Sequence, residues 1–506
     1  MKHRFRNIHS ISIIILGIMV FSVLLRAQNR GNNLAFQGFG NYSEYSAAAL
    51  GFGGAISSVS GVVDVLHYNP AGLSDISELQ LSFGGGSVLR QWTENQVYNP
   101  NRLFVTLPFY LERLYIPNPA DNGKRDNLIF FDGLEDSLYM VARPDTGLEP
   151  YSDKAADWKK TDKSVGPNNI SIAYPIRIAG KKMVIAAAWN KRLDFFDYDR
   201  NQTYLDPHFG YTEYNMPTRV DGTDSVQVYW SDFERQRSGS LHEFRGALAT
   251  ALNEILKIGF SAAYLTGETE DLQSLNRIGW FRLYDENRFA FSYDTLSVST
   301  TGTSHFSGIK TEIGIQLVYD AFSMGLNLKM PFTVTRKSDY TIKTADTASV
   351  NTSTLEGTDK FNIPFSYTIG VNFRPNESFM FALDFDLNLY SKAEWEIAHN
   401  DTTQRDWVDQ KILKFGVQYL PSDLVALRAG YRSIPQVFVP DGAAFRDRGP
   451  EARAWTLGIG FNFAQFGTFN IAWEYRLLKY HDQYFSNTNY CKEVTHNILI
   501  SYHYKF

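Results

Sequence analysis

Residues Glu493 to Phe506 read EVTHNILISYHYKF, and the alternation in this stretch decides the fold. Every second position places Val494, His496, Ile498, Ile500, Tyr502, Tyr504 and Phe506 on one face. The reverse carries Thr495, Asn497, Leu499, Ser501, His503 and Lys505. A period of two puts these sets on opposite sides of a β-strand. The first face suits hydrocarbon, with its tyrosines near one end where an interfacial aromatic girdle would lie. The second suits water.

Working back along the chain, the same alternation recurs from residue 78 onward. Trp455, Leu457, Ile459, Phe461 and Phe463 oppose Thr456, Gly458, Gly460 and Asn462. In 361–373, Ile363, Phe365, Tyr367, Ile369, Val371 and Phe373 oppose Asn362, Ser366, Thr368, Gly370 and Asn372. In 378–392, Phe379, Phe381, Leu383, Phe385, Leu387 and Leu389 oppose Asp384, Asp386 and Asn388. Charges fall with the small polar set: Lys310, Glu312, Lys329, Lys414, Arg428, Arg432, Glu474 and Arg476. Facing lipid near the bilayer midplane, an Arg or Lys would cost roughly 2–4 kcal/mol, so this face lines a wet or protein-filled lumen. A soluble β-sandwich explains the alternation equally well. It does not explain the alternation together with the aromatic strand ends and the features of the amino terminus.

The links between strands are asymmetric. Ala179-Gly180-Lys181, Asn253-Glu254, Asp320-Ala321, Pro375-Asn376-Glu377, Pro421-Ser422-Asp423 and 464–467 are short turns. The alternate links, 91–167, 196–240, 268–306, 336–360, 393–407, 437–452 and 480–491, are long and polar. Short turns on one side and long loops on the other are the pattern of a transmembrane barrel. Counting 78–90 as the first strand and 492–506 as the last gives about fourteen antiparallel strands, an even number that lets the sheet close. The expected fold class is therefore all-β, a transmembrane antiparallel barrel over 78–506 with long extracellular loops.

At the amino terminus, Lys2, Arg4 and Arg6 precede an apolar run from Ile11 to Leu25 and a small Ala27, which reads as a signal peptide over 1–27. An uncleaved anchor is the alternative. Past it, no stretch approaches the roughly 20 apolar residues of a membrane-spanning helix. Mean hydropathy is −0.27 although 15% of residues are aromatic. The single cysteine, Cys491, excludes an intrachain disulfide framework. A net charge of −5 with interspersed signs leaves no basic stripe for nucleic acid.

Residues 28–77 differ from the rest. SAAALGFGGA (46–55) is small and apolar, and Leu66-His67-Tyr68-Asn69-Pro70-Ala71-Gly72-Leu73 follows, just ahead of the first strand. Such a segment is too small-residued for a core of its own and could tuck into a lumen, where glycine allows close backbone approach. A Gly/Ala run, then Tyr68-Asn69-Pro70-Ala71-Gly72-Leu73, then a first barrel strand resembles the FadL/TodX-type outer-membrane transport family. The final Phe506 also resembles the carboxy termini of bacterial outer-membrane barrels. In detail the resemblance covers about residues 46–90. It implies a fourteen-strand barrel in the bacterial cell outer membrane whose amino-terminal segment is an internal hatch. It also implies uptake of fatty-acid-like or aromatic compounds, with cargo leaving sideways where a strand is kinked. Some members of this broad family are instead partner-binding barrels of protein secretion systems, so secretion-system proteins are alternative partners to lipid and hydrophobic cargo.

Three groups of residues carry the functional expectation. Asn69, Pro70, Ala71 and Gly72 form the hatch turn where the chain returns to the wall. Leu103, Phe104, Phe109, Tyr110, Phe195 and Phe196 are candidate capture residues in the long loops. Pro175, beside the small run Ala186, Ala187 and Ala188, is the candidate lateral opening, because proline removes a ladder donor. Pro364 is more easily a strand-start proline. No catalytic set, metal cluster or cofactor motif is present: the ten histidines are dispersed, and Ser501 with His503 lacks a third partner. Asp384 and Asp386 share a face, as a carboxylate pair must, and read as a lumen lining that repels anions or pairs with neighbouring cations.

Overall fold

The computed structural model describes residues 38, 44–98, 149–178, 180–203, 207–208, 226–285, 288–346, 348–398, 407–440, 442–463, 466–483 and 487–506. Within them, eighteen strand segments form one antiparallel sheet. It begins with β1 (Gln80–Tyr98), β2 (Trp158–Ile178) and β3 (Lys181–Thr203). The two-residue β4 (Pro207–His208) continues β3 along β5 (Val226–Ala251). Then come β6 (Leu256–Asp285) and β7 (Arg288–Tyr319). Three wall strands are each built from two pieces. They are β8 (Phe322–Lys329) with β9 (Phe332–Ala345), β10 (Val350–Ile363) with β11 (Ser366–Phe373), and β12 (Phe379–Asn388) with β13 (Glu394–Glu396). The circuit ends with β14 (Gln410–Ser422), β15 (Val425–Pro435), β16 (Glu451–Phe463), β17 (Gly467–Gln483) and β18 (Asn487–Lys505). β1 pairs with β18 from Gln80↔Lys505 to Tyr98↔Asn487, which closes a barrel of 14 wall strands, the number expected. Closure leaves no edge for lipid to desolvate.

The faces fall as the alternation requires. Ile498, Ile500 and Tyr502 are exposed while Leu499 and Ser501 are buried; Trp455 and Leu457 point outward, Ala454 and Thr456 inward. An exposed apolar surface repeated on strand after strand is a hydrocarbon-facing band. Inside, Lys310, Glu312, Lys414, Arg432 and Glu474 are buried. The turns follow local chemistry. Asp320 takes φ 52° in the two-residue β7–β8 hairpin, a left-handed value that Asp tolerates. The Asn376 side-chain oxygen accepts from Ser378 N at 2.9 Å and Phe379 N at 3.0 Å, an Asx turn.

The long links expected at 196–240, 268–306, 336–360 and 480–491 need correction, because the strands run far into them. β9 continues to Ala345 and β10 begins at Val350, both inside the expected link 336–360, and β6 continues to Asp285. Beyond the apolar band the outward face turns polar as well, with Thr333, Lys337, Asp339 and Lys343 exposed on β9. The sequence alternation fades there, although backbone pairing does not.

From Glu44 to Ile76 the chain lies inside the barrel and is buried against its wall. Helix α1 (Ala47–Gly51) starts at Ser46, whose Oγ accepts from Ala49 N at 3.5 Å. Two 3₁₀ turns follow, Val63–His67 and Pro70–Asp75. Wall glycines make room for this segment. A Cβ at Gly458 would stand 2.8 Å from the Gly51 Cα, and one at Gly314 would stand 2.8 Å from Ala71 N. The expected signal segment, and the capture residues Leu103, Phe104, Phe109 and Tyr110, lie outside the described residues.

Candidate functional site

The lumen is stacked in layers. Lowest is the packed core of the amino-terminal segment, in which Phe52, Val63, Val65, Leu66 and Leu73 meet Val184, Ala249 and Ala382 of the wall. Asn69 caps the Pro70–Asp75 turn, its Oδ1 accepting from Ala71 N at 3.1 Å. Its Nδ2 donates to Ser57 O at 2.8 Å and to the wall at Ile315 O, 3.1 Å. The Asn69–Gly72 turn therefore docks on β7 and on Gly259 of β6, across the lumen floor rather than at β1. Asp384 accepts from Ser57 N at 2.9 Å, so one of the two paired aspartates holds the segment. The other, Asp386, pairs with Lys414 at 2.8 Å.

Above this floor runs an ionic belt. Arg245 makes a two-pronged contact with Glu312 at 2.9 Å on each arm and reaches Glu243 at 2.8 Å. Lys310 bonds Glu243 at 2.7 Å and Glu312 at 3.2 Å. Arg432 joins Glu474 to Glu44 of the inner segment. Such buried charges persist only when paired and hydrogen-bonded. The belt surrounds a cavity of about 120 Å³ lined by charged groups, including Arg192, Lys310 and Lys414, and by apolar ones, including Met330, Phe332 and Tyr390.

The next layer outward is apolar. Phe195 stacks on Phe306 at 4.8 Å, and Trp407 meets Phe361 at 4.9 Å and Trp395 at 5.1 Å edge-on. A second ionic layer follows, with Arg237 on Asp271 at 2.7 and 2.8 Å and Arg336 on Asp359 at 2.8 Å.

The wall itself departs from regularity at β3. β2 and β3 pair from Ile178↔Lys181 to Asn169↔Asn190, and there their ladder stops. Beyond that level β2 continues with β1, while β3 continues with β5 after an irregularity at Lys191/Leu193. The outer half of β3 turns inward, because its neighbouring residues Phe195 and Phe196 are buried on both faces of the strand. Phe195 packs on β7, and Phe196 lies under Arg90 of β1 at 4.7 Å and beside the buried Trp92. Tyr45 of the inner segment backs the place where the strands part. The Arg192 Nη1 donates to its hydroxyl at 3.2 Å, and the Asn168 Nδ2 donates to its carbonyl at 3.1 Å.

Two expectations are corrected here. Pro175 faces Val184 in an unbroken ladder, and Ala186, Ala187 and Ala188 pair regularly with Ala173, Ile172 and Ser171, so the wall does not open at those residues. Pro175 lies past the last β1–β2 pair, Gln80↔Ala173, so a missing donor on that side costs no ladder bond. Phe195 and Phe196 are lumen residues, not exposed capture residues, because they sit on the inward-turned strand. The residues at the parting, Asn168, Asn190, Arg192 and Tyr45, went unread. Gly166-Pro167, immediately before the last β2–β3 pairs, was the available signal, but a strand taken to start at residue 168 leaves it in the loop.

Three groups in the inner segment have shifted titration, among them Tyr45, whose hydroxyl is pushed up to about 12 by burial. Burial and the charge of Arg245 pull the His67 imidazole down to about 4. Burial alone would raise the Asp64 carboxyl, but His503, 3.0 Å away, more than offsets it and the group lies at about 2. His67 is thus neutral at pH 7, with Nε2 3.1 Å from Asn169 Oδ1 on β2. Its folded value lies below the usual 6.5, so the undocked segment binds the extra proton first. Docking should weaken as pH falls from about 6.5 to about 4, by up to about 3 kcal/mol, and be insensitive above that window. Protease nicking of residues 44–77 measured across this range checks it, and His67→Gln should flatten the profile.

No family model and no curated protein matches the sequence. Solved structures do match its fold. A FadL homologue from Pseudomonas aeruginosa aligns with a TM-score of 0.57 at 12% identity, over 91% of this chain and 98% of that one. The toluene transporter TodX of Pseudomonas putida aligns with a TM-score of 0.51 at 12% identity, over 93% and 100%. The monoaromatic hydrocarbon channel CymD aligns with a TM-score of 0.50 at 12% identity, over 92% and 98%. The chain thus has the fold of the FadL-type barrels over nearly its whole length.

Proposed function

We propose that this protein sits in the bacterial outer membrane and takes up hydrophobic small molecules, with residues 44–77 as the hatch that closes the lumen. The observation that carries the reading is the departure of β3 from the wall above Asn169↔Asn190, beside a lumen sealed beneath by buried apolar side chains. A water-filled pore gains nothing from either feature. An apolar cargo does, because release into water costs about 0.8 kcal/mol per exposed CH₂, whereas a sideways exit keeps it in an apolar medium. The monoaromatic hydrocarbon channel and the toluene transporter of the same fold support this cargo class. Tyr45 stands at the parting and ties the hatch to both strands, so hatch movement and exit are mechanically joined.

The test is a reversible staple across the parting. Ser164 Oγ lies 3.4 Å from Asp194 Oδ1, so Ser164→Cys with Asp194→Cys can be bridged by a bifunctional thiol reagent carrying a cleavable disulfide. Cells expressing the bridged protein should take up radiolabelled toluene or a long-chain alkyl carboxylate no faster than cells lacking the protein. Reduction should restore the rate. Undiminished uptake through the bridged protein would discard the β2–β3 exit, and no uptake by the wild type would discard the transport reading.

A further inference from the structure

The barrel carries a second irregularity, farther round the circuit. β8 and β9 are separated by Met330-Pro331, and β10 and β11 by Pro364-Phe365. β12 and β13 are separated by Leu389–Ala393, which includes the 3₁₀ turn Tyr390–Lys392. The three breaks lie side by side. Below them Lys329 pairs with Ser366 and Ser366 with Asn388; above them Phe332 pairs with Ile363 and Asn362 with Glu394. Two prolines at this level have no N–H to give to a ladder. β14, the next strand, pairs with β12 as far as Asn388↔Gln410, and among the described residues no ladder joins it to β13. Three adjacent strands interrupted at one height leave a band with few ladder hydrogen bonds, although Met330 N at the β8–β9 break still donates to Thr311 O of β7 at 3.0 Å.

The outside of this band is apolar, and on the inside apolar side chains flank the breaks within a cavity of mixed lining. The belt cavity reaches it, and Met330, Phe332, Ile363 and Tyr390, which flank the breaks, supply most of that cavity's apolar lining. Its charged lining comes from the broken strands and their neighbour, with Lys329 of β8, Asp384 and Asp386 of β12 and Lys414 of β14, as well as from Arg192, Lys310 and Glu312 of β3 and β7. Outside, the exposed residues just below are Ile369, Leu383 and Leu413, and Ile309 is 65% exposed beside the β8–β9 break. Just above, Thr333 and Lys337 are exposed. The breaks therefore sit at the outer rim of the hydrocarbon band, within reach of molecules dissolved in the outer leaflet.

We infer that this triple break is a second side port, through which elongated apolar molecules pass between the outer leaflet and the belt cavity. The proposal rests on the hydrophobic-cargo reading above but not on the β2–β3 exit. Opening here disturbs side-chain packing and few ladder hydrogen bonds, whereas parting an intact strand pair in lipid would expose a row of unpaired backbone groups.

Two measurements test it. Phe365→Cys places a thiol in the break, and Ile369→Cys places one on the outward face of a paired stretch. The native Cys491 is buried, and the unsubstituted protein treated identically controls for it. After reaction with a bulky maleimide, the Phe365→Cys protein should lose most of its uptake of radiolabelled decane, and the Ile369→Cys protein should keep it. Equal uptake by both labelled proteins would overturn the port. Independently of any variant, a photoactivatable alkyl diazirine dissolved in vesicles holding the wild-type protein should label Met330, Phe332 or Tyr390 as well as the lipid-facing Ile369 and Leu383. Labelling confined to the lipid-facing residues would overturn it too. A wild type that takes up no decane but is labelled at Tyr390 would separate failure of the transport reading from failure of the port.

Discussion

Arg245→Ala is expected to destabilise the folded barrel by about 3 kcal/mol, the lower end of the roughly 3–5 kcal/mol seen when one partner of a buried ion pair is removed. Arg245 is 4% exposed and answers two carboxylates, Glu312 and Glu243, while also donating to Leu66 O of the hatch at 3.4 Å. Its loss leaves buried negative charge, and the hatch loses a tie. The lower end applies because Lys310 still contacts both carboxylates and Asn327 Nδ2 still donates to Glu312 at 3.0 Å. Thermal unfolding in detergent, followed by the gel shift between folded and unfolded barrel, reads the change. Arg245→Met combined with Glu312→Leu should recover much of the loss, because an apolar pair of similar volume carries no desolvation cost. If the double variant is no better than the single one, charge pairing is not what holds this belt.

Gly430→Leu is expected to displace the hatch and let ions through a barrel that otherwise conducts little. A Cβ at Gly430 would lie 2.5 Å from the Gly53 Cα and 2.7 Å from Thr456 Oγ1. Gly53 holds φ at +67°, a left-handed turn fixed by its position after α1, so its backbone has little room to yield. Overpacking of a filled interior costs about 1–3 kcal/mol, and here the movable side is the hatch rather than the hydrogen-bonded wall. Single-channel current in planar bilayers is the measurement. Gly246→Leu is the control, since nothing lies within 4 Å of a Cβ there. Equal, low conductance in both variants would mean that residues 44–77 do not plug the lumen.

How much of this was readable without coordinates differs from element to element. The faces of β16 and β18 followed directly from alternation, since hydrocarbon on one side and a lumen on the other select opposite side chains. The inner segment was readable from its Gly/Ala run, because only small residues permit the approach of Gly51 to Gly458. The polar outer strands were not readable. On β9 both faces carry polar groups, so nothing in the period of two stands out. Phe195 and Phe196 looked like loop aromatics for the same reason: a strand that leaves the wall has both faces buried and no alternation.

The sequence by itself determined that the chain is a membrane-embedded barrel with a small-residued segment inside it, because solvent on each face acts on every residue separately and leaves its mark at every second position. Only the tertiary structure decided where the wall is irregular and what meets across the lumen. A ladder ends at Asn169↔Asn190, and three strands break together beside Met330, Phe365 and Tyr390. Arg192, Glu243, Lys310 and Glu312 come from three different strands to share one belt. Register and closure are properties of strand pairs, set by how all the strands align at once, and no single strand's composition carries them.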